Sequence, residues 1–241
     1  MNEILNKKVF FKDLNLIPYE QALAIQTEVF EKTISTKIKN RDLTLPDKNI
    51  TDNYLFFCEH PHVFTLGKSG AIGNLLINEE KLAGIKAQFY KSNRGGDITY
   101  HGPGQLVVYP ILDLDNFFTD IHLYMRTLEE AVIVSLKHFG IIGERVEGLT
   151  GVWVKSKLGD KYSKICALGV KTSRWVTMHG LALNVNTNLS YFSNIIPCGI
   201  NDKDVTSIEK ELGKSISLNS VGSQLLKNIG ILFKMDILQN N

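Results

Sequence analysis

Cysteine is scarce in this chain, which has only Cys58, Cys166 and Cys198. They form no CxxC pair and no evenly spaced framework, which argues against disulfides and a zinc site and fits free thiols in a reducing compartment. Charge of one sign is lacking too. The 27 basic and 25 acidic side chains leave a formal net charge of +2. That is too little for a general attraction to nucleic acid or anionic lipid, although a local basic patch is compatible with it. No apolar run is long enough to cross a bilayer. The opening "MNEILNKKVFFKDLNL" has neither the apolar centre nor the small-residue cleavage site of a signal peptide, and Glu3 and Asp13 speak against a transit peptide. The expected location is therefore the cytoplasm. There is no internal repeat.

What is present is an ordinary globular composition: 241 residues, 44% apolar and 22% charged, enough for one large core and read as one domain over residues 1–241. "IPYEQALAIQTEVFEKTI" sets Pro18 at a helix start with Ala22, Ile25, Val29 and Phe30 on one face. Residues 35–53 carry no sustained periodicity and read as a surface connection. "YLFFCEH" and "QLVVYPILDL" read as buried strands, and "DIHLYMRTLEEAVIVSLKHFG" as a helix capped by Asp120 and stopped by Gly140. "GVWVKS" and "SKICALGVKTS" flank Gly159 and Asp160 as a hairpin, and "LALNVN" is a further short strand. "VTSIEKELG" and "VGSQLLKNIGILFKMD" read as helices packed on the sheet. Strands and helices do not alternate regularly, so the expected class is α+β with a mixed sheet, not a doubly wound parallel one.

"TLGKSG" at 65–70 invites a phosphate-loop reading, but that motif needs glycine five places before Gly67, where His62 stands. A tight turn after a strand explains it better. "RGGDITYHGPGQ" at 94–105 has no GxGxxG and runs into a strand, so no helix N-terminus is offered to a phosphate. A single RGG without repeats or an aromatic RNA-binding pattern is no nucleic-acid signature. A glycine-rich loop entering a strand allows backbone to lie flush against a narrow ligand such as an acyl chain. In it Arg94 can hold a carboxylate, a phosphate or a structural carbonyl, and Tyr100 and His101 can orient a polar group. A purely structural turn network fits the same residues equally well.

A thiol is a useful nucleophile only as thiolate, which needs a nearby cation or dipole. Cys58 in "LFFCEH" reads as core. Cys166 lies two residues from Lys164 in an expected strand, which places both on one face about 6 to 7 Å apart, an arrangement that mimics a catalytic dyad. Cys198 in "NIIPCGI" has a stiffening Pro197 before it and Gly199 leaving room beside the sulfur. It has the features of a presented thiol, and the residues alone favour Cys198 over Cys166 by a small margin, a buried structural role being the ordinary alternative for any single cysteine.

In order along the chain, "CEHPHVFTLGKSG", "RGGDITYHGPGQLVVYPILDL", "GVWV", "KICALGV", "HGLALNVN" and "IIPCGI" resemble the lipoyl(octanoyl) transferases, over roughly residues 15–210. The resemblance implies the α+β fold of biotin and lipoate protein ligases. It also implies transfer of an octanoyl or lipoyl group from acyl carrier protein to a lysine of lipoyl domains, those of 2-oxoacid dehydrogenase complexes and the glycine cleavage H protein. No cofactor, metal, nucleic acid or membrane is implied. By position, Cys198 matches the acyl-accepting cysteine and Lys164 its partner. Arg94, Gly95, Gly96, Asp97, Ile98, Thr99, Tyr100 and His101 match the substrate-binding loop. Ala167, Leu168 and Gly169, with Gly180, Leu181 and Ala182, match the remaining acyl-pocket stretches. Cys166 departs from the pattern, since a small residue such as alanine is usual there, and is expected to be a bystander. "KTSRWVT" has little pattern and is a candidate partner contact. The resemblance leaves open whether Tyr100, His101 and His179 do chemistry. His60, His122 and His138 are expected to be structural. The rival readings are an ATP-dependent lipoate or biotin ligase and a non-catalytic module that binds lipoyl domains.

Overall fold

Period-two alternation sets the middle of the molecule, in which a computed structural model describes residues 5–44, 47–156, 159, 161–196 and 204–239. The strands β1 (Lys8–Leu16), β2 (Asn53–Glu59), β3 (Val63–Leu66), β4 (Gln88–Lys91), β5 (Ile98–His101) and β6 (Gln105–Ile111) occupy the first half of the chain. They share it with helices α1 (Tyr19–Lys39) and α2 (Glu79–Gly84). Then come α3 (Ile121–His138), β7 (Gly143–Glu144), β8 (Val152–Lys155), β9 (Tyr162–Ser173), β10 (Val176–Asn184), β11 (Asp204–Val205), α4 (Ile208–Leu212), α5 (Leu218–Phe233) and β12 (Asp236–Gln239). The large sheet runs β12-β1-β2-β6-β10-β9-β8-β7, with β11 beside the start of β9, and the small sheet runs β4-β3-β5. Parallel and antiparallel pairs mix, as the α+β expectation requires.

In β2, Leu55 and Phe57 face one core and Phe56 and Cys58 the other; in β6, Leu106 and Val108 alternate in the same way with Val107 and Tyr109. A strand buried on both faces reads as a continuous apolar run for this reason. The first face is covered by α3 and α5 through Leu128, Leu136, Leu225 and Ile229, the second by α1 through Ala22 and Phe30. A third cluster, around Phe64, Ile98 and Tyr100, fills the small sheet. Asp120 caps α3 by accepting from the Leu123 N–H at 2.9 Å, and Gly140 follows the helix at φ 78°. No helix among the described residues is long and apolar enough to cross a membrane.

Three elements differ from the sequence expectation. Helix α1 continues through the polar stretch to Lys39, where a surface connection was expected. There Thr33 and Thr36 donate back to the carbonyls of Val29 and Lys32, giving their hydroxyls partners within the helix, and Lys37 bonds Asp113 and Asp115. The patternless "KTSRWVT" is the tip of a long β9–β10 hairpin, and the short strand expected at "LALNVN" is the end of a strand that begins at Val176. Arg174 and Trp175 make the turn with φ of 50° and 64°, a conformation usually taken by Asn or Gly, so no turn signal shows in the sequence. The third difference is a bulge in β9. Trp153 pairs with Lys164 and Val152 with Cys166, leaving Ile165 as an extra residue.

Candidate acyl-transfer site

The bulge separates the two side chains that simple alternation would put together. Ile165 and Cys166 both enter the core cluster, whereas Lys164 turns with Trp153 into a cavity of about 520 Å³. The expected common face for Lys164 and Cys166 is therefore overturned, because an added residue shifts the two-residue period by one step. Burial pushes the Cys166 thiol well up, and Cys58, also buried, goes the same way. Neither is a thiolate at neutral pH. Cys198 lies outside the described residues.

The cavity opens over β6, β9 and β10 and is roofed by the loop before β5. Glycines in its walls and behind them let two backbones touch. A side chain at Gly67 would meet the Gly96 carbonyl at 2.2 Å, one at Gly169 the Gly95 carbonyl at 2.9 Å, and one at Gly180 the Val108 carbonyl at 2.1 Å. The Gly95 N–H donates to the Val170 carbonyl at 2.8 Å, fastening the loop to β9. Arg94, largely buried, holds the loop's other side. Its Nη2 donates to the Thr65 carbonyl (2.6 Å) and hydroxyl (2.9 Å), and its Nη1 to the Gly95 carbonyl (3.0 Å). Of the roles the sequence leaves open for Arg94, these bonds fill that of a clamp on structural carbonyls.

Gly95, Gly96, Asp97, Ile98, Thr99 and His101 line the cavity together with Arg94, and so do Ala167, Leu168, Gly169, Gly180, Leu181, Ala182 and Lys164. Tyr100 is not among them. It points into the small-sheet core, where its hydroxyl and His62 Nδ1 share a hydrogen bond of 2.7 Å. Asp97 braces the loop, accepting from its neighbour Ile98 N–H (2.6 Å) and from Asn74 (2.7 Å).

The inner end is polar but uncharged apart from Arg94. His101 Nδ1 bonds Gln105 at 2.7 Å and His179 Nε2 bonds Asn93 at 2.7 Å. Behind them His60 bonds the Ile17 carbonyl and the Tyr109 hydroxyl, both at 2.7 Å. Burial lowers His101 and His179 to about 3 and His60 to about 4, with Arg94 adding to the first two. Neutral imidazoles bonded this way orient walls. His179 takes φ 63° within β10, and its N–H donates to the buried Gln26 Oε1 at 3.0 Å. His122 and His138 are exposed on α3.

Sequence reasoning missed Trp153, over whose ring the Lys164 ammonium sits at 4.6 Å, a favourable cation–π placement. It also missed Tyr19, Tyr109 and Leu149 as lining residues. The pairing of Trp153 with Lys164 depends on the bulge, which leaves no local signal. Among the described residues no three His, Cys, Asp or Glu side chains gather as a metal site requires.

Residues 18–230 match the lipoyl protein ligase A/B catalytic domain family. The octanoyltransferase of Cytophaga hutchinsonii is 56% identical over 237 residues, 98% of this chain and 97% of that protein. That of Flavobacterium johnsoniae is 54% identical over 238 residues, 97% of this chain and 100% of its own. Among solved structures, the bi-partite lipoate protein ligase of Thermoplasma acidophilum superposes with a TM-score of 0.68 at 17% identity, covering 98% of this chain and 87% of that one. A lipoate-protein ligase A bound with ATP gives 0.66 at 17% identity, over 98% and 88%. At such identities these two speak for the fold alone. The agreement along nearly the whole length, with the shared motifs folded around one glycine-walled cavity, means that this chain belongs to the lipoyl protein ligase A/B catalytic domain family and, within it, to the octanoyltransferases, which are acyltransferases.

Proposed function

We propose that residues 1–241 act as one catalytic domain in the cytoplasm. It moves an octanoyl or lipoyl group from acyl carrier protein to a lipoyl-domain lysine through a thioester on Cys198. The acceptors are lipoyl domains of 2-oxoacid dehydrogenase complexes and the glycine cleavage H protein. The observation that carries this reading is the cavity itself, walled by backbone at glycines and by Leu168, Leu181 and Ala182, with the Lys164 ammonium inside it. Its volume lies within the roughly 300–1,000 Å³ usual for small-ligand pockets. The reading is supported further by the burial of Cys58 and Cys166, which speaks against acylation at either of them.

In this account the Lys164 ammonium favours the Cys198 thiolate. The thiolate adds to the octanoyl thioester carbonyl and the carrier thiolate leaves, taking a proton from Lys164. This exchanges one thioester for another and is nearly balanced. Neutral Lys164 then takes the proton of the attacking amine as that amine adds to the enzyme thioester, and Cys198 leaves as thiolate, restoring the pair. Amide formation from a thioester is downhill, so no ATP is consumed. Gly95, Gly96, Ile98 and Thr99 of the loop that Arg94 clamps lie over the acyl chain against β9 and β10, and the neutral histidines shape the inner end.

The test is transfer from octanoyl-acyl carrier protein to a lipoyl domain with ATP omitted, read by the mass of the acceptor. Octanoylation without ATP supports the reading. Acylation that requires ATP and free octanoate contradicts it and selects a ligase; acceptor binding with no acylation in either condition selects a binding module.

A further inference from the structure

Glu129 has no part in the chemistry above, yet it lies in α3 at 1% exposure. Its Oε2 accepts from Arg126 Nη1 at 2.6 Å and faces Arg145 Nε at 3.2 Å, and its Oε1 accepts the backbone N–H of Gly151 at 2.9 Å. Arg145 also donates to Glu130 Oε2 (2.7 Å) and to the Arg126 carbonyl (2.8 Å). One carboxylate thereby ties both ends of the 145–151 connection, between β7 and β8, to α3. A buried ion pair is rarely the most stabilising way to fill such space, because desolvation offsets much of its attraction. What the pairing supplies instead is a fixed position for Gly151.

That position borders the reactive end of the cavity. A side chain at Gly151, where φ is 121°, would meet the Cys166 carbonyl oxygen at 2.7 Å and Lys164 Cε at 3.3 Å. The Lys164 stem therefore runs along bare backbone at Gly151, and its ammonium reaches the Trp153 ring. Gly148, Leu149 and Thr150 in the same connection line the cavity. If the connection moves, the groove that holds the lysine moves with it.

We propose that Glu129 is a positioning residue for acyl transfer: by anchoring Gly151 it fixes the groove along which Lys164 lies and so the place of its ammonium. The geometric part stands on the contacts above, while the effect on turnover rests on the role proposed for Lys164.

The experiment uses the full chain with lysine labelled by carbon-13 at Cε. The Lys164 methylene is shifted by the Trp153 ring current and is assigned by its loss in Lys164→Arg. In Glu129→Gln and in Gly151→Ala the ring-current shift collapses toward that of solvent-exposed lysines. The kcat for ATP-free transfer falls about ten- to a hundredfold with little change in KM for the donor, as expected for a small misplacement of a reacting group. Glu130→Gln, which does not touch Gly151, leaves both readouts near wild type. A folded Glu129→Gln protein with an unshifted Lys164 resonance and full kcat overturns the inference, and so does an equal collapse in Glu130→Gln. Should Glu129→Gln fail to fold, Glu129→Asp keeps the charge while drawing the carboxylate back from the Gly151 N–H, and it is read in the same way: a collapsed shift with a lowered kcat supports the inference, an unshifted resonance with full kcat overturns it. Full activity in Lys164→Ala would instead remove the role of Lys164, and the resonance would still decide whether Glu129 positions it.

Discussion

Acid is expected to unfold this protein through its buried histidines. Burial holds His101 and His179 down to about 3 and His60 to about 4, against an ordinary value of 6.5. Each is bonded as a neutral ring, and the surroundings oppose a second positive charge: His101 faces Arg94, His60 and His179, while His179 faces Arg94 and Lys171. Below the unfolded value the unfolded chain binds protons that the native chain refuses, so stability rises with pH in this window. The contribution is fully present above about 6.5 and is lost as pH falls toward the folded values. At pH 5 each ring costs about 2 kcal/mol, or about 6 kcal/mol for the three together, since the unfolded rings titrate independently. A domain is stable by only about 5–15 kcal/mol in total, so the loss is a large part of the margin. Urea titrations between pH 7.5 and 5 at constant ionic strength read it directly. The slope below pH 6 should approach three protons, about 4 kcal/mol per pH unit, with His62, also lowered by burial, adding in the same direction. His179→Asn, a residue that tolerates the φ of that position, should remove about a third of the slope. A slope of less than one proton, about 1.4 kcal/mol per pH unit, would refute the reasoning.

Gly180→Ala puts a methyl group 2.1 Å from the Val108 carbonyl and 2.7 Å from Pro110 Cδ. Because β6 cannot retreat without breaking its pairing with β2, the change should cost about 3 kcal/mol or more and lower the melting temperature. Cys166→Ala removes a buried sulfur from the core and should cost about 1–2 kcal/mol, with transfer activity unchanged; a loss of activity in a folded variant would contradict the bystander role. Arg94→Lys gives up a planar fork that reaches Thr65 and Gly95 at once. It should raise KM for the donor about tenfold, in line with roughly 1.5–3 kcal/mol for charge-assisted bonds, and steady-state kinetics will show whether kcat stays near wild type.

The central strands were legible because β2 and β6, buried on both faces, carry unbroken apolar runs, and α3 because Asp120 and Gly140 mark its ends. The glycine loop was legible as a place where backbone must come close: a side chain at Gly104 would strike the Asn186 carbonyl at 2.5 Å, and those at Gly67 and Gly169, outside the loop, would strike the carbonyls of Gly96 and Gly95 within it. Elements that depend on partners far away in the chain were not legible. Strand β1, "KVFFKDLNL", is mostly exposed along its length and is held by β2 and β12. The turn at Arg174 and Trp175 has residues that rarely form it. Above all, simple alternation paired Cys166 with Lys164, and only the added Ile165 separates them. Glu129 showed no signal either, since its meaning comes from Arg145 and Gly151, 16 and 22 residues away.

The central claim is a covalent acyl-enzyme on Cys198. It is tested most directly by intact mass after mixing the protein with octanoyl-acyl carrier protein and no ATP, in the unmodified chain, Cys198→Ala and Cys166→Ala. The account predicts an octanoyl adduct, labile to hydroxylamine, that forms in the unmodified chain and in Cys166→Ala and is missing only in Cys198→Ala. An adduct that persists in Cys198→Ala, or none on the unmodified chain while the acceptor is still octanoylated, would contradict it.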